Sequence, residues 1–287
     1  MWVNGCGCNI VIKTSHCEKN IPFVDETLRE TVSILEENAA IEGSGICKAI
    51  RKHNGVMGCI VTNLTLKTIP LLFYLAFGFA GKPVYVSETR NLYRNEMSLL
   101  PMEDTDCFDL IQDRGGERKL YEACKVNGFE LRILREETIK LKLEINGERS
   151  PSIYSYTEIF ERENGERFYG DNVTYKINGK EYKNIYGVTL ATKKESGTKT
   201  ELWIKRALEQ GSDLPEIIDE MIITAQLLRD NYEYRYFGTF RVTLKRLLLV
   251  SDITQINTAD TVIGPLRYYV SGTVTTEVFT SGEGFLL

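Results

Sequence analysis

Alternating apolar and polar side chains make the stretch from Tyr121 to Gly147 the most regular part of this sequence. The apolar residues at every other position are Phe129, Leu131, Ile133, Ile139, Leu141, Leu143 and Ile145. A period of two is typical of strands with one buried face and one solvated face. The polar run 135–137 predicts a turn between the two halves. The stretch is therefore predicted to be a long, amphipathic antiparallel hairpin.

The same alternation recurs along most of the chain. It predicts strands at 3–13, 56–67, 173–177, 182–190, 200–204, 240–245 and 268–278. Asn178-Gly179, which follows one of these strands, is the strongest short signal for a tight hairpin. Residues 240–245 and 268–278 form a second two-strand unit, which resembles the central hairpin in its pattern. We therefore expect a mainly β fold, a sandwich or barrel with long hairpins and one or two flanking α-helices.

Residues 19–43 follow a different pattern. Apolar residues recur there at helical spacing, at Val24, Leu28, Val32, Leu35 and Ala39. This spacing predicts a helix. Two interpretations fit it: a surface helix packed on its own sheet, or an arm that leaves its domain and packs on a neighbouring subunit.

Two further helices are predicted from capping signals. Thr68 can cap a helix that carries Pro70 in its first turn and ends at Gly78, and this helix is apolar on nearly all sides. We expect it to lie deep against the sheet. Ser212 or Asp213 can cap a short helix through residue 215, with Leu214, Ile217, Ile218 and Met221 on one side.

Length and composition limit the classes of protein to which this chain can belong. The 287 residues form one predicted domain, with residues 81–118 and 148–172 expected to be loop-rich. The net charge of −5 provides no general basic field for nucleic acid. The start of the chain lacks the pattern of a secretion signal, and the longest apolar run, 69–80, is too short to span a bilayer. Seven cysteines, an odd number, favour a reducing compartment inside the cell.

The sequence contains only weak signals for catalysis or metal binding. The sequence has no phosphate-binding loop, nucleophile elbow or dinucleotide fingerprint, and its two histidines, His16 and His53, have no triad or metal spacing. A metal site formed by Cys6, Cys8, His16 and Cys17 would have an unfamiliar spacing. The acidic cluster 103–109 could bind a cation, although loop carboxylates are usually only solvated. We expect neither catalysis nor a cofactor nor a metal.

The order of four sequence pieces resembles the tail tube proteins of long-tailed bacteriophages. The pieces are IPFVDETL at 21–28, a Gly58-led strand followed by the Pro70–Gly78 helix, YEACKVN at 121–127, and VSGTV at 270–274. The resemblance covers roughly residues 10–280. The sequence departs from the family pattern at Ala123, where glycine is usual, and in its cysteine-rich start.

This resemblance implies a structural protein of the virion. Six subunits would form a ring, each giving long strands to an inner barrel around a channel, and rings would stack head to tail into a tube that double-stranded DNA passes through without sequence-specific binding. The polar strand faces would line an acidic or mixed lumen. Residues 19–43 would link rings, and the partners would be tape-measure, tail terminator and tail-tip or baseplate proteins. Assembly would take place in the cytoplasm of the bacterial host.

Residues expected to contribute to assembly contacts come from four parts of the chain. They are Pro22, Phe23, Leu28, Val32, Leu35, Leu131, Ile139, Leu141, Leu143, Val270 and Val274.

Two alternatives stay open from the sequence. One is an inner-tube or baseplate-hub ring of a contractile tail or injection system. The other is a carbohydrate- or small-molecule-binding β-domain that uses a tyrosine platform formed by Tyr154, Tyr156, Tyr232, Tyr234 and Tyr236.

Overall fold

The structure is a computed structural model that describes residues 8–15, 17–37, 48–87, 92–115, 117–147, 152–153, 166–195, 197–207, 214–227, 238–252 and 262–281. These residues are mainly β-strand, as predicted. The first strands are β1 (Cys8–Lys13), β2 (Glu18–Asn20), β3 (Asp25–Glu26), β4 (Arg29–Glu37), β5 (Lys48–Asn63), β6 (Gly78–Ala80), β7 (Val84–Ser87), β8 (Leu92–Leu99), β9 (Phe108–Arg114) and β10 (Glu117–Leu134). The later strands are β11 (Lys140–Gly147), β12 (Ser152–Ile153), β13 (Val173–Ile177), β14 (Lys180–Glu181), β15 (Ile185–Lys193), β16 (Lys199–Ala207), β17 (Ile217–Leu227), β18 (Gly238–Asp252), β19 (Val262–Val270) and β20 (Val274–Ser281). Helix α1 spans Ile69–Phe77, and 3-10 turns form at Met102–Asp104 and Gly170–Asn172.

Antiparallel ladders join these strands into one branched sheet. The main path runs from β4 through β5, β11, β10, β15, β16, β19, β18 and β17 to β13. One branch leaves β10 through β9 and β1 to β2, and another leaves β18 through β20 and β8 to β6 and β7. Over the described residues the ladders never return to their starting strand, so the sheet is open.

Strands β10 and β18 each change partner along one edge. Strand β10 pairs with β9 over its first half and with β15 over its second half, and β18 pairs with β20 and then β19 in the same way. A residue with a left-handed backbone lies at each change: Ala123 with φ 55° and Arg246 with φ 56°. Such bulges bend a strand and let it contribute to two differently oriented parts of a sheet.

Helix α1 supplies the centre of the core. Its residues are buried except for Tyr74, as the apolar sequence predicts. Phe73 packs edge-on against Phe240 of β18, and Phe77 packs against Phe129 of β10. Gly78 ends the helix in the left-handed conformation at φ 105°. The predicted helix and its position against the sheet are therefore confirmed.

The central hairpin forms as predicted, with the predicted apolar side chains on its buried face. Leu131 pairs with Leu141 and Phe129 with Leu143, and these side chains are buried. The predicted turn lies at 135–137, where Glu136 has φ 65°. The Asn178-Gly179 hairpin between β13 and β14 is confirmed as well, with positive φ at both residues, as a type I′ turn requires.

Both helix predictions made from spacing outside α1 are wrong. Residues 29–37 form strand β4, which pairs with β5, so the helix predicted over 19–43 does not form there. Residues 217–227 form strand β17, which pairs with β18, where a helix was predicted from Leu214 to Met221. In both segments a neighbouring strand offers a complete row of backbone partners, and this outweighs the local helical spacing. Residues 38–43 and 212–213 lie outside the described part.

The expectation of an exposed loop with short strands over 81–118 is wrong for strand β9, which is buried. Strand β9 lies between β1 and β10, and residues 110–113 are buried in succession, so both of its faces are covered. Strand β8 pairs with β20. Val11 of β1 is buried as well as Ile10 and Ile12, which removes the predicted alternation there. Of the loop-rich segment 148–172, only 152–153 and 166–172 are described.

Candidate assembly surface

Most of the residues expected in assembly contacts lie inside the core of the subunit. Those with buried side chains are Leu28, Leu131, Ile139, Leu141, Leu143, Val270 and Val274. Because they pack against their own sheet, they stabilise the fold and are not available to a neighbouring subunit. Pro22 and Phe23 are half-buried, and Phe23 packs against the core. Val32 is 37% exposed, and the side chain of Leu35 lies outside the described residues.

The opposite side of these strands forms a broad polar surface, which we call the outer face. It consists of the outward-pointing side chains of β11, β15, β16 and β19 and of residues 125–132 of β10. Its cations are Lys125, Arg132, Lys140, Lys142, Lys193, Lys199, Lys205 and Arg267. Its acids are Glu130, Glu144 and Glu201. The outer face therefore carries an excess of positive charge, although the chain as a whole has a net charge of −5.

One line of cross-strand neighbours on this face is especially basic. Lys140 pairs with Arg132, Arg132 with Thr189, Thr189 with Trp203, and Trp203 with Arg267. We call these five residues the basic row. The ammonium of Lys140 and the guanidinium of Arg132 lie 3.5 Å and 3.8 Å from the Glu137 carboxylate. Arg267 donates a hydrogen bond to Glu201, which raises its pKa, and lies over the Trp203 ring.

Large apolar side chains are exposed beside the basic row. Ile217 pairs with Leu248, and Leu248 pairs with Tyr269, so the three lie side by side on β17, β18 and β19. Their exposed fractions are 62%, 44% and 38%. We call these three residues the apolar row. A contiguous apolar patch on a regular sheet is typical of an interaction surface.

The apolar row had a partial signal in the sequence. Residues 247–250 read Leu-Leu-Leu-Val, an uninterrupted apolar run in which both faces of a strand must be apolar. Ile217 could not be assigned to this surface because its segment was predicted to be a helix. The structure also leaves the tyrosine platform of the carbohydrate-binding alternative outside the described residues.

A polar cluster fixes the segment that leads into β4. The Glu26 carboxylate accepts hydrogen bonds from Gln112 Nε2, from the Arg114 guanidinium and from the Leu28 backbone N–H, at 2.7 to 2.9 Å. Lys119 donates to Glu30 at 2.6 Å, and this hydrogen bond raises its pKa. The start of β4 is therefore tied to β9 and β10 as well as to β5.

Beyond this anchor, β4 and β5 continue as a two-stranded ribbon. Residues 31–37 pair with residues 48–55, whereas β11 pairs with β5 only at residues 56–63. Within the described residues, the outer half of the ribbon therefore has no other strand beside it. Residues 29–37 of the possible arm over 19–43 form one strand of this extended ribbon.

The described residues contain no cluster of three or more His, Cys, Asp or Glu side chains that could hold a metal ion. Cys6 and His16 of the unfamiliar cysteine cluster lie outside them. The acidic residues Glu103, Asp104 and Asp106 are exposed on the turn after β8, and Lys125 Nζ donates to the carbonyls of Met102 and Glu103 at 3.1 Å and 3.2 Å. Tyr74 donates to Asp106, and its pKa is raised by burial and by that hydrogen bond.

Lys194 is an unusual buried cation at the turn between β15 and β16. Its side chain is 1% exposed, and Nζ has no hydrogen-bond partner among the residues that the structure describes. Burial, with a smaller contribution from Lys125, lowers its pKa to about 8. This position therefore destabilises the charged form of the side chain.

Comparison of the sequence with protein-family models and with curated proteins gives no match. No helix among the described residues has the length and apolar character needed to cross a membrane.

Proposed function

We propose that this chain is a structural protein that assembles into stacked rings, as the tail tube proteins of long-tailed bacteriophages do. The observation that carries the proposal is the apolar row of Ile217, Leu248 and Tyr269, which lies open on a regular sheet. Because these side chains are only 38–62% exposed, burying the rest of each against another copy would contribute on the order of 1 kcal/mol per residue. Rings formed in this way, hexameric by analogy with the family, would stack into a tube for DNA in the virion tail.

Three further features support assembly. Over the described residues no further strand lies beside the outer side of β4, so this edge of the sheet is available for a neighbouring subunit. The ribbon formed by β4 and β5 extends beyond the main sheet and is available to link copies. Three of the sequence pieces that resemble tail tube proteins lie in regular elements of the fold. Gly58 is part of β5, the Pro70-containing piece forms α1, and residues 121–127 belong to the 121–147 hairpin.

The first test is negative-stain electron microscopy combined with sedimentation velocity of the purified protein over a wide concentration range. Rings or hollow tubes of uniform width are the expected result. Monomers at every concentration, including after addition of a tail-tip complex as a nucleator, would contradict the proposal. Recruitment of a contractile sheath by the tubes would assign the protein to the inner-tube class.

Substitution in the apolar row makes the test specific. Leu248→Asp is expected to leave the circular dichroism spectrum unchanged and to abolish rings, because a charge would be buried in the contact. Val84→Asp on β7 is the matched control. Val84 is also an exposed aliphatic residue, but it does not belong to the apolar row. Normal assembly of Leu248→Asp would remove the apolar row from the contact.

A further inference from the structure

The basic row and the acidic turn occupy separate places on the surface of one subunit. The acidic turn, defined here as Glu103, Asp104 and Asp106, is held beside the start of the outer face by the bonds from Lys125 to the turn carbonyls. Lys125 and Arg132 are both on β10, and a strand rises by 3.2–3.4 Å per residue, so they lie about 20 Å apart. The turn therefore cannot reach the basic row of its own subunit.

The basic row is incompletely neutralised. Lys140 and Arg132 share the single Glu137 carboxylate at 3.5 Å and 3.8 Å, which are long distances for an ion pair. The five residues of the row come from five neighbouring strands and together span about 19 Å, since strands are spaced by 4.7–4.9 Å. The side chains of this row are partly exposed, and the apolar row continues the surface onto β18 and β17. It has the polar rim and apolar part of a protein contact surface.

We infer that the basic row binds the acidic turn of a second copy of this chain, so that the outer face is a contact between subunits and not the wall along which DNA passes. Charge complementarity selects this partner, because a chain of net charge −5 that collects its cations on one face must be acidic elsewhere. A contact between two different patches of identical chains is heterologous, and such contacts propagate into rings or filaments.

The same charges argue against a lumen position. A channel wall with Lys140, Arg132 and Arg267 in line would neutralise phosphates and hold DNA through the release of counterions. A face that must let DNA slide would not concentrate cations. This inference rests on the proposed assembly and changes the expectation that the polar strand faces line the lumen.

The experiment uses two charge-reversal variants of the full chain. Variant A carries Arg132→Glu and Lys140→Glu, and variant B carries Glu103→Lys and Asp104→Lys. Asp106 is left unchanged because it accepts the Tyr74 hydrogen bond. Each variant alone is expected to raise the concentration needed for assembly roughly tenfold or more, since like charges would oppose each other across the contact.

An equimolar mixture of A and B supplies the decisive measurement. Each A face would then meet a B turn, and each B face an A turn, so assembly should return to within about threefold of the parent, and added salt should weaken it. A folding defect in either variant could not be rescued by mixing. The control variant carries Lys82→Glu and Lys180→Glu, two exposed lysines outside the face, and should assemble normally.

The outcomes separate this inference from the proposed function. A parent protein that never assembles contradicts the proposed function itself. Assembly of the parent together with normal assembly of A and B, or failure of the mixture to recover, overturns the contact while leaving self-assembly in place. Assembly of variant A at the parent's concentration, together with loss of a tight, salt-sensitive binding of duplex DNA that the parent tubes show, would return the basic row to the lumen.

Discussion

Two single residues, Ala123 and Lys194, destabilise the folded state because of the positions that they occupy. Ala123 adopts φ 55° at the point where β10 changes partner, a conformation that glycine adopts without steric strain. Lys194 is the second case, since within the described part of the chain its buried ammonium has no hydrogen-bond partner.

Ala123→Gly is therefore expected to stabilise the protein by about 0.5–1 kcal/mol, the relief of left-handed strain less the greater chain entropy of glycine. Urea unfolding measures the change. Ala191→Gly, at an outward position of β15, is the control and should destabilise the protein by a similar amount. If both substitutions destabilise equally, the strain at Ala123 is absent.

Lys194 predicts an increase in stability with pH. Its pKa is about 8 in the folded protein and 10.5 when unfolded, so the unfolded chain binds more protons between these values. The cost of charging Lys194 is complete below pH 8 and disappears as the pH rises towards 10.5. Lys194→Met should therefore stabilise the protein at pH 7 by about 3 kcal/mol, with a smaller gain at pH 9.

The measurement for Lys194 is the difference in unfolding free energy between the variant and the parent at both pH values. Taking this difference removes the contribution of other groups, such as Cys124, whose pKa is raised to about 12 by burial. Lys176→Met, at an exposed position of β13, is the control for replacing a lysine with methionine. Equal gains at pH 7 and pH 9 would show that Lys194 does not titrate in this range.

Elements of this fold depend on close contacts between segments that are distant in sequence. Strand β5 is the clearest example, because the 25–28 segment crosses directly over Gly58. A methyl group placed at Gly58 would lie 2.5 Å from the Thr27 carbonyl oxygen and 2.7 Å from Leu28 Cα. The Glu26 cluster then fixes the same segment to β9. Glycine at 58 is therefore required by backbone packing.

Gly58→Ala is expected to destabilise the protein by roughly 2 kcal/mol or more, since both the steric clash and the backbone at φ 155° oppose it. Gly179→Ala provides the comparison. Its φ is 80°, but a methyl group there would meet no atom within 4 Å, so only backbone strain of about 1 kcal/mol is expected. Thermal unfolding of both variants tests the order. A smaller effect at Gly58 than at Gly179 would contradict the close approach.

The molecule as a whole separates a folded body from a projecting ribbon. Deleting all of 19–43 would remove Ile21 and Leu28 from the core, so that deletion would not leave a folded subunit. The ribbon beyond Thr31 and Gly55 is a cleaner target. Over its described residues it is paired only with itself, so its removal leaves the ladders of the body intact.

Replacing residues 32–54 with a two-residue Asn-Gly turn is therefore expected to preserve the fold and to prevent stacking. Circular dichroism and thermal unfolding would establish the fold, and electron microscopy would show single rings or monomers in place of tubes. A control chain with residues 178–179 exchanged for Gly-Asn tests whether altering another hairpin has the same effect. Tubes of normal length from the shortened chain would exclude the ribbon from stacking.

The amino-acid sequence alone determined the elements whose signals are local. The central hairpin follows from period-two alternation, α1 from its apolar run between Pro70 and Gly78, and the β13–β14 turn from Asn178-Gly179. In each of these cases, the residues that specify the structure are near neighbours in the chain. The mainly β class follows from the same local patterns.

Only the tertiary structure decided β4, β17 and the outer face. Apolar residues spaced by four lie on one side of a helix, but four is an even number, so the same spacing is compatible with one face of a regular strand. Local spacing alone therefore does not discriminate between the two structures. The backbone groups of β5 and β18 resolve this ambiguity by pairing with residues 29–37 and 217–227. The basic row likewise depends on register, because Lys140, Arg132 and Arg267 become neighbours only when five strands align.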